Sequence, residues 1–119
     1  HGDWTRDLGY RCAPVLLERG VTAIFAMNDL MAMGVLDYCN HNHIEVGRDL
    51  ALIGFDNREI SSVSRPALST VALPLFEIGH TAASIMLDMI EKEGVAQPSR
   101  ILLDCAIIER ESTGFPSAN

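Results

Sequence analysis

An apolar run from Leu50 to Phe55 breaks off at a carboxylate and an amide, giving LALIGFDN. A segment with so little polar surface predicts a strand buried on both faces, the kind found at the centre of a parallel sheet. AIFAM at residues 23–27 and the segment Ser69 to Leu73 predict two further strands, the latter ended by Pro74. Helical patterns alternate with these strands, which predicts an α/β fold: a three-layer parallel sheet with flanking helices and right-handed crossovers. In such sheets ligands bind in the crevice beyond the carboxyl ends of the strands. Asp56 and Asn57 stand where that crevice would open.

Thr5 to Arg19 reads as a helix, with Thr5 as N-cap, Asp7 in the first turn and Gly20 as the stop. Leu8, Cys12, Val15 and Leu16 share one face of it, and Pro14 inside it predicts a kink. The helix from about Leu30 to His41 is apolar almost all round, through Leu30, Met31, Met33, Val35, Leu36 and Tyr38. One side would cover the sheet, and the other suggests a partner subunit. Gly34 has no helical advantage, so close packing explains it best. Residues 57–66 read as one helical turn plus a surface loop. Leu75 to Lys92 is the clearest helix, with a stripe of Ile78, Ala82, Ile85, Met86 and Met89 and an end marked by Gly94 and Pro98. Arg100 to Ile108 reads as one or two strands, followed by a polar tail, ERESTG. The chain opens with HGDW, without Met, on a helix that no strand precedes, so part of a domain is expected rather than a whole one.

Charge and cysteine usage narrow the function. The formal net charge is −7, with no cluster of Lys and Arg to face phosphates, so direct contact of these residues with DNA is not expected. Three cysteines without a C-x-x-C pair read as buried reduced thiols in a cytosolic protein. No run approaches the roughly 20 apolar residues of a membrane span, and no signal peptide is visible.

Parallel topology brings the strand-to-helix turns to one edge of the sheet. Gly2-Asp3-Trp4, Asn28-Asp29, Phe55-Asp56-Asn57 and Leu73-Pro74-Leu75 would meet there. Carboxylates and amides serve paired hydroxyls and an indole stacks on a ring, a set suited to binding a sugar or nucleobase without chemistry. Each residue has a structural alternative. Asp29 would serve as a helix N-cap, Asn28 would end its strand on its own backbone, Asp56 would shape a turn, and Trp4 would join the core. His41-Asn42-His43 falls at a helix C-terminus, where His suits the dipole, and is read as a solvated cap rather than a metal site. No nucleophile elbow, P-loop, H-E-x-x-H or G-x-G-x-x-G is present, so neither enzymatic activity nor a metal or cofactor is expected.

Taken together, GDW, VTAIFAMNDLMAMGVLDYC, LALIGFDN, RPALSTVALP and IIERESTG resemble the lactose/galactose-repressor (LacI/GalR) family of bacterial transcription regulators. The match covers nearly the whole chain and implies residues 1–119 as the C-terminal part of the effector-binding and dimerisation domain. The fold implied is the C-terminal subdomain of a type I periplasmic-binding-protein-like fold. The family's helix-turn-helix and N-terminal subdomain have no counterpart here, so operator DNA would be reached only through them. The resemblance implies effector contacts at Trp4, Asn28 and Asp56, with Leu75 where some members place an aromatic wall. It implies a homodimer interface on the helix carrying Leu30, Met33, Gly34 and Asp37 and on the segment carrying Ile60 and Val63. The implied protein is a cytoplasmic repressor-type regulator that senses a sugar or a nucleobase or nucleoside. The alternative is the C-terminal lobe of a periplasmic sugar-binding protein of an ABC transporter, which shares fold and pocket.

Overall fold

The helix at the start of the chain is set by its cap. In the computed structural model, which describes residues 3–91 and 100–114, α1 spans Arg6–Leu17, and the Thr5 hydroxyl accepts the Leu8 N–H at 3.2 Å. Asp3 steadies the cap, accepting the Thr5 hydroxyl at 2.6 Å and the Thr5 N–H at 3.2 Å. Both bonds favour its charged form and lower its pKa. The helix runs through Pro14 without ending.

The buried face of α1 is not the one its large residues mark. Gly9 and Ala13 are buried, while Val15 is 53% exposed. The reason is close approach to α2, Asp29–His41. A Cβ on Gly9 would overlap the Met31 carbonyl oxygen, and a Cβ on Gly34 would overlap the Arg6 carbonyl oxygen. Backbone meets backbone at this crossing, so small residues form the contact and large ones flank it. Arg6 grips Asp37 through two bonds, Nε to Oδ2 at 2.5 Å and Nη2 to Oδ1 at 2.7 Å. The hydrogen bonding holds the guanidinium still more firmly protonated. Tyr10 and Tyr38 meet edge to face at 5.5 Å. The second apolar side of α2, for which the sequence suggests a partner subunit, therefore lies against α1.

Four strands follow the order β1-β2-β3-β4: β1 Ala23–Phe25, β2 Ala51–Phe55, β3 Ser69–Ala72 and β4 Ala106–Ile108. β1 runs parallel to β2 with Ile24 opposite Leu52, and β2 runs parallel to β3 with Gly54 opposite Thr70. Burial alternates along β2, which corrects the expectation of a strand buried on both faces. Leu52 is fully buried among Ile24, Val35, Leu36, Cys39 and Leu68, whereas Phe25, on the other face, is 54% exposed. Burial also pushes the Cys39 thiol pKa up, as the apolar surroundings disfavour a thiolate.

The short helix α3, Glu59–Val63, is the single turn expected between β2 and β3. The polar tail is corrected to a structural element. Glu111–Thr113 forms a 3₁₀ turn whose Ser112 is 1% exposed. The Ser112 hydroxyl donates to the Leu52 carbonyl at 2.6 Å and accepts the Ser69 N–H at 2.7 Å. Ser69 in turn binds Arg110 at both its N–H and its carbonyl.

The chain divides into two compact units, residues 3–72 with 107–114, and residues 73–91 with 100–106. In the second, α4 spans Leu75–Glu91 and buries none of its residues. Ile78, Met86 and Met89 of its expected stripe are 42%, 63% and 46% exposed. A groove of about 380 Å³ lies along α4, lined by Ile78, Ala82, Ile85 and Leu102. Residues 101–105 carry no strand, so the expected one or two strands reduce to β4 alone. Lys92, Gly94 and Pro98, expected at the end of α4, lie outside the described residues. No helix among the described residues is long and apolar enough to cross a membrane.

The helix crossing gives a sharp stability test. Gly34→Ala forces α1 away from α2 and should destabilise the fold by about 1–3 kcal/mol, the usual range for overpacking. Urea unfolding followed by circular dichroism would read this as a lowered midpoint with an unchanged slope.

Candidate functional site

The C-terminal ends of β1 and β2 lie side by side. The Ala26 N–H donates to the Ile53 carbonyl at 2.8 Å, and the Asp56 N–H donates to the Val71 carbonyl at 2.9 Å. Phe25 and Phe55 meet edge to face near this edge, 6.4 Å between centroids. The sheet therefore delivers the Asn28-Asp29 turn and the Asp56-Asn57 turn to one place, as parallel topology requires.

Backbone conformation is unusual there. Among the described residues, four that are not glycine have positive φ, and three of them are Trp4 at 60°, Asp56 at 101° and Asn57 at 52°. Asn tolerates the left-handed region through local hydrogen bonding, but Asp56 at 101° lies outside the usual well. Sparsely populated conformations of this kind cluster at ligand sites and persist only where the surroundings enforce them.

The roles of Asn28 and Asp29 exchange relative to the simplest sequence reading. Asn28 is the N-cap, its Oδ1 accepting the Met31 N–H at 2.7 Å. Its Nδ2 donates to the Trp4 carbonyl at 3.0 Å, tying the Trp4 segment to α2. Asp29 is the first helical residue and is fully buried. Its Oδ1 accepts the Thr70 hydroxyl at 2.6 Å and its Oδ2 accepts the Arg58 N–H at 2.7 Å. A buried carboxylate is tolerated because both oxygens are paired.

Trp4 is 57% exposed rather than part of the core. It lines a shallow cleft of about 210 Å³ with Leu8, Met27 and Met31. Asp56 is half-buried, and no hydrogen bond or ion pair from the described residues engages its carboxylate. Asn57, by contrast, is fastened: its N–H reaches the Thr70 hydroxyl at 3.2 Å and its Oδ1 accepts Arg110 Nη2 at 2.9 Å. Leu75, also expected at the site, begins α4 in the second unit and is 65% exposed.

Of the residues expected at a dimer interface, Met33 is 3% exposed, Gly34 is packed on α1 and Asp37 is paired with Arg6. Leu30 and Ile60 are half-buried, and Val63 is 62% exposed. Thr70, Arg110 and Gly54 were not singled out from the sequence. Their signal lay in the neighbouring RPALST and IIERESTG segments and in a glycine placed mid-strand. Among the described residues, no group of three or more His, Cys, Asp or Glu is placed to hold a metal ion.

This arrangement has known counterparts. A model of the periplasmic binding protein-like domain family matches residues 2–113. The HTH-type transcriptional repressor CytR of Escherichia coli K12 is 38% identical over 114 residues, covering 94% of this chain and 33% of that protein. The chain thus spans about a third of the length of the curated relatives it matches. A LacI family transcriptional regulator from Enterococcus faecium, solved with bound ribose, superposes with a TM-score of 0.79 at 32% identity, covering 92% of this chain and 41% of that one. The Lac repressor dimer bound to operator and the anti-inducer ONPF superposes with a TM-score of 0.83 at 28% identity, covering 95% of this chain and 34% of that one.

The double duty of Asn28 predicts a graded loss. Asn28→Ala removes the cap and should destabilise the protein by about 1 kcal/mol, with most of it restored in Asn28→Ser, which caps equally well. Thermal unfolding of the two variants would show the split.

Proposed function

The chain belongs to the LacI/GalR family of transcription regulators, and from that premise we propose that it is the effector-sensing and dimerising part of such a regulator. Asp56 carries the reading. Its carboxylate is half-buried at the carboxyl end of the central strand, in a strained turn, and takes no hydrogen bond from the described residues. A carboxylate so placed is suited to accept from the paired hydroxyls of a sugar. Trp4, on the same edge, offers an exposed indole face for stacking. Asn28 reaches the effector with whatever capacity its two structural bonds leave, and Leu75 supplies an apolar contact. The ribose held by the Enterococcus faecium relative makes a pentose, free or within a nucleoside, the first class to test.

The mechanism proposed for the whole protein needs no catalysis. Effector binds more tightly to one arrangement of the effector domain than to another, and that difference alone shifts the population and so the grip on operator DNA. A hundredfold shift requires about 2.7 kcal/mol of differential affinity. One charge-assisted hydrogen bond contributes roughly 1.5–3 kcal/mol, so Asp56 alone could supply most of it. A cytoplasmic location goes with this role, and the relatives described above are regulators, which gives the periplasmic-receptor alternative no support of its own.

For the homodimer we propose the face made by α2 and α3. Leu30, Ile60 and Val63 supply its accessible surface, while Met33, Gly34 and Asp37 shape it from beneath through their packing on α1. Continuity of apolar surface from Ile60 to Val63 on so short a helix supports a contact there rather than a solvated loop.

Two outcomes test these proposals in the full-length protein. Asp56→Asn should weaken effector binding by about 10–100-fold and leave operator affinity without effector unchanged, as read by operator release during titration with D-ribose and adenosine. An unchanged response would remove Asp56 from the site. Val63→Glu should move the sedimentation profile toward monomer, and a dimer of undiminished stability would displace the interface from α3.

A further inference from the structure

The turn that presents Asp56 is held from behind by a buried relay. Thr70, fully buried on β3, donates its hydroxyl hydrogen to Asp29 Oδ1 at 2.6 Å and accepts the Asn57 N–H at 3.2 Å on the same oxygen. Asp29 Oδ2 takes the next amide along, the Arg58 N–H, at 2.7 Å. Two consecutive backbone donors that follow Asp56 are therefore captured by one buried hydroxyl–carboxylate pair. These are the amides on the far side of the two positive-φ residues, Asp56 at 101° and Asn57 at 52°.

The relay is built rather than incidental. Asp29 Oδ1 occupies space that a Cβ on Gly54 would fill, so the central strand carries a glycine where the carboxylate passes to reach Thr70. From the other side, Arg110 holds the Asn57 amide oxygen through Nη2 at 2.9 Å, while its Nη1 is anchored on the Ser61 hydroxyl at 3.0 Å and the Leu68 carbonyl at 2.7 Å. Asn57 is thus gripped at its N–H and at its side chain, while the neighbouring Asp56 carboxylate is left without a partner among the described residues.

A threonine facing a core of this kind could be replaced by valine if its hydroxyl only filled volume. Here the hydroxyl orients a donor and an acceptor at once. Asp29 fixes the hydroxyl hydrogen, and this turns the oxygen lone pairs toward Asn57. We propose that Thr70, oriented by Asp29, is a positioning residue for effector recognition: it locks the left-handed Asp56-Asn57 turn so that the Asp56 carboxylate is preset for its ligand. The lock spares the ligand the ordering of that turn, which is how preorganisation raises affinity without new contacts. This rests on the effector reading of Asp56 given above.

The test uses the full-length protein with Thr70→Val, which keeps shape and removes both bonds, and Thr70→Ser, which keeps the hydroxyl. Hydrogen exchange read at the amides of Asn57 and Arg58 decides whether the lock exists. Thr70→Val should speed exchange there at least tenfold, with Thr70→Ser within about twofold of the unmodified protein and α2 and β2 unchanged. Unaltered exchange at both amides overturns the proposal, as does a uniform rise through α2 and β2, which marks a general core role. For whichever of D-ribose and adenosine the unmodified protein binds, calorimetry should show Thr70→Val binding at least fivefold more weakly and Thr70→Ser restored. Equal affinity in Thr70→Val overturns the positioning role. Asp56→Asn separates the two readings: if it leaves affinity unchanged the site itself is wrong, whereas loss in Asp56→Asn with none in Thr70→Val defeats the relay alone.

Discussion

The buried carboxylate of Asp29 is the interaction on which the rest of the first unit depends. It sits at the first helical residue of α2, where the helix dipole and the free N–H groups favour negative charge. One oxygen reaches across to β3 through Thr70 and the other to the start of α3 through the Arg58 N–H. Helix, strand and turn are thereby joined at one point inside the fold. Removing such a group would leave two donors stranded beside an apolar core, a penalty larger than the net gain of an average hydrogen bond. The 3₁₀ turn at Glu111–Thr113 plays the matching part at the other end of β3. There Ser112 and Arg110 bind β2, β3 and the Asn57 side chain from a segment more than forty residues away in sequence.

Much of this fold was legible because it is written in local pattern. The apolar runs gave β1, β2 and β3 within a residue or two, and Thr5 gave the start of α1. The single turn of α3 followed from Ile60 and Val63 in a polar stretch. The placement of Asn28 and Asp56 on one edge followed from parallel order alone. What failed to show in the sequence depends on distance in space. The Gly9–Gly34 crossing inverts the usual rule that the largest residues mark the buried face, and only the partner backbone reveals it. The ERESTG segment is polar because its hydroxyls and guanidinium replace backbone partners inside the fold, and composition cannot distinguish that from solvation. The alternation of burial along β2 is invisible when both kinds of position are apolar.

The candidate site divides along the same line. Trp4 and Asp56 were recognisable by type, and the structure leaves both with free functional surface: an exposed indole and an unengaged carboxylate. Asn28 was recognisable too, yet both ends of its amide already serve the scaffold. A polar residue at a strand end can therefore be read correctly as belonging to a site and still have its first duty in holding the site's shape. α4 shows the complementary case, an amphipathic pattern easily seen in sequence whose apolar stripe remains accessible in the second unit.

The space left by Gly54 has a consequence for how this chain can change. Asp29, Gly54 and Thr70 occupy one volume, since any side chain at 54 would displace the carboxylate that Thr70 holds. Substitutions there cannot be additive, as residues sharing a contact couple by about 0.5–3 kcal/mol. A small apolar residue at 29 would relieve the crowding at 54, and valine at 70 would then no longer strand a buried carboxylate. Drift at these three positions should thus proceed in concert, by paths that pass through the pair rather than through either single change.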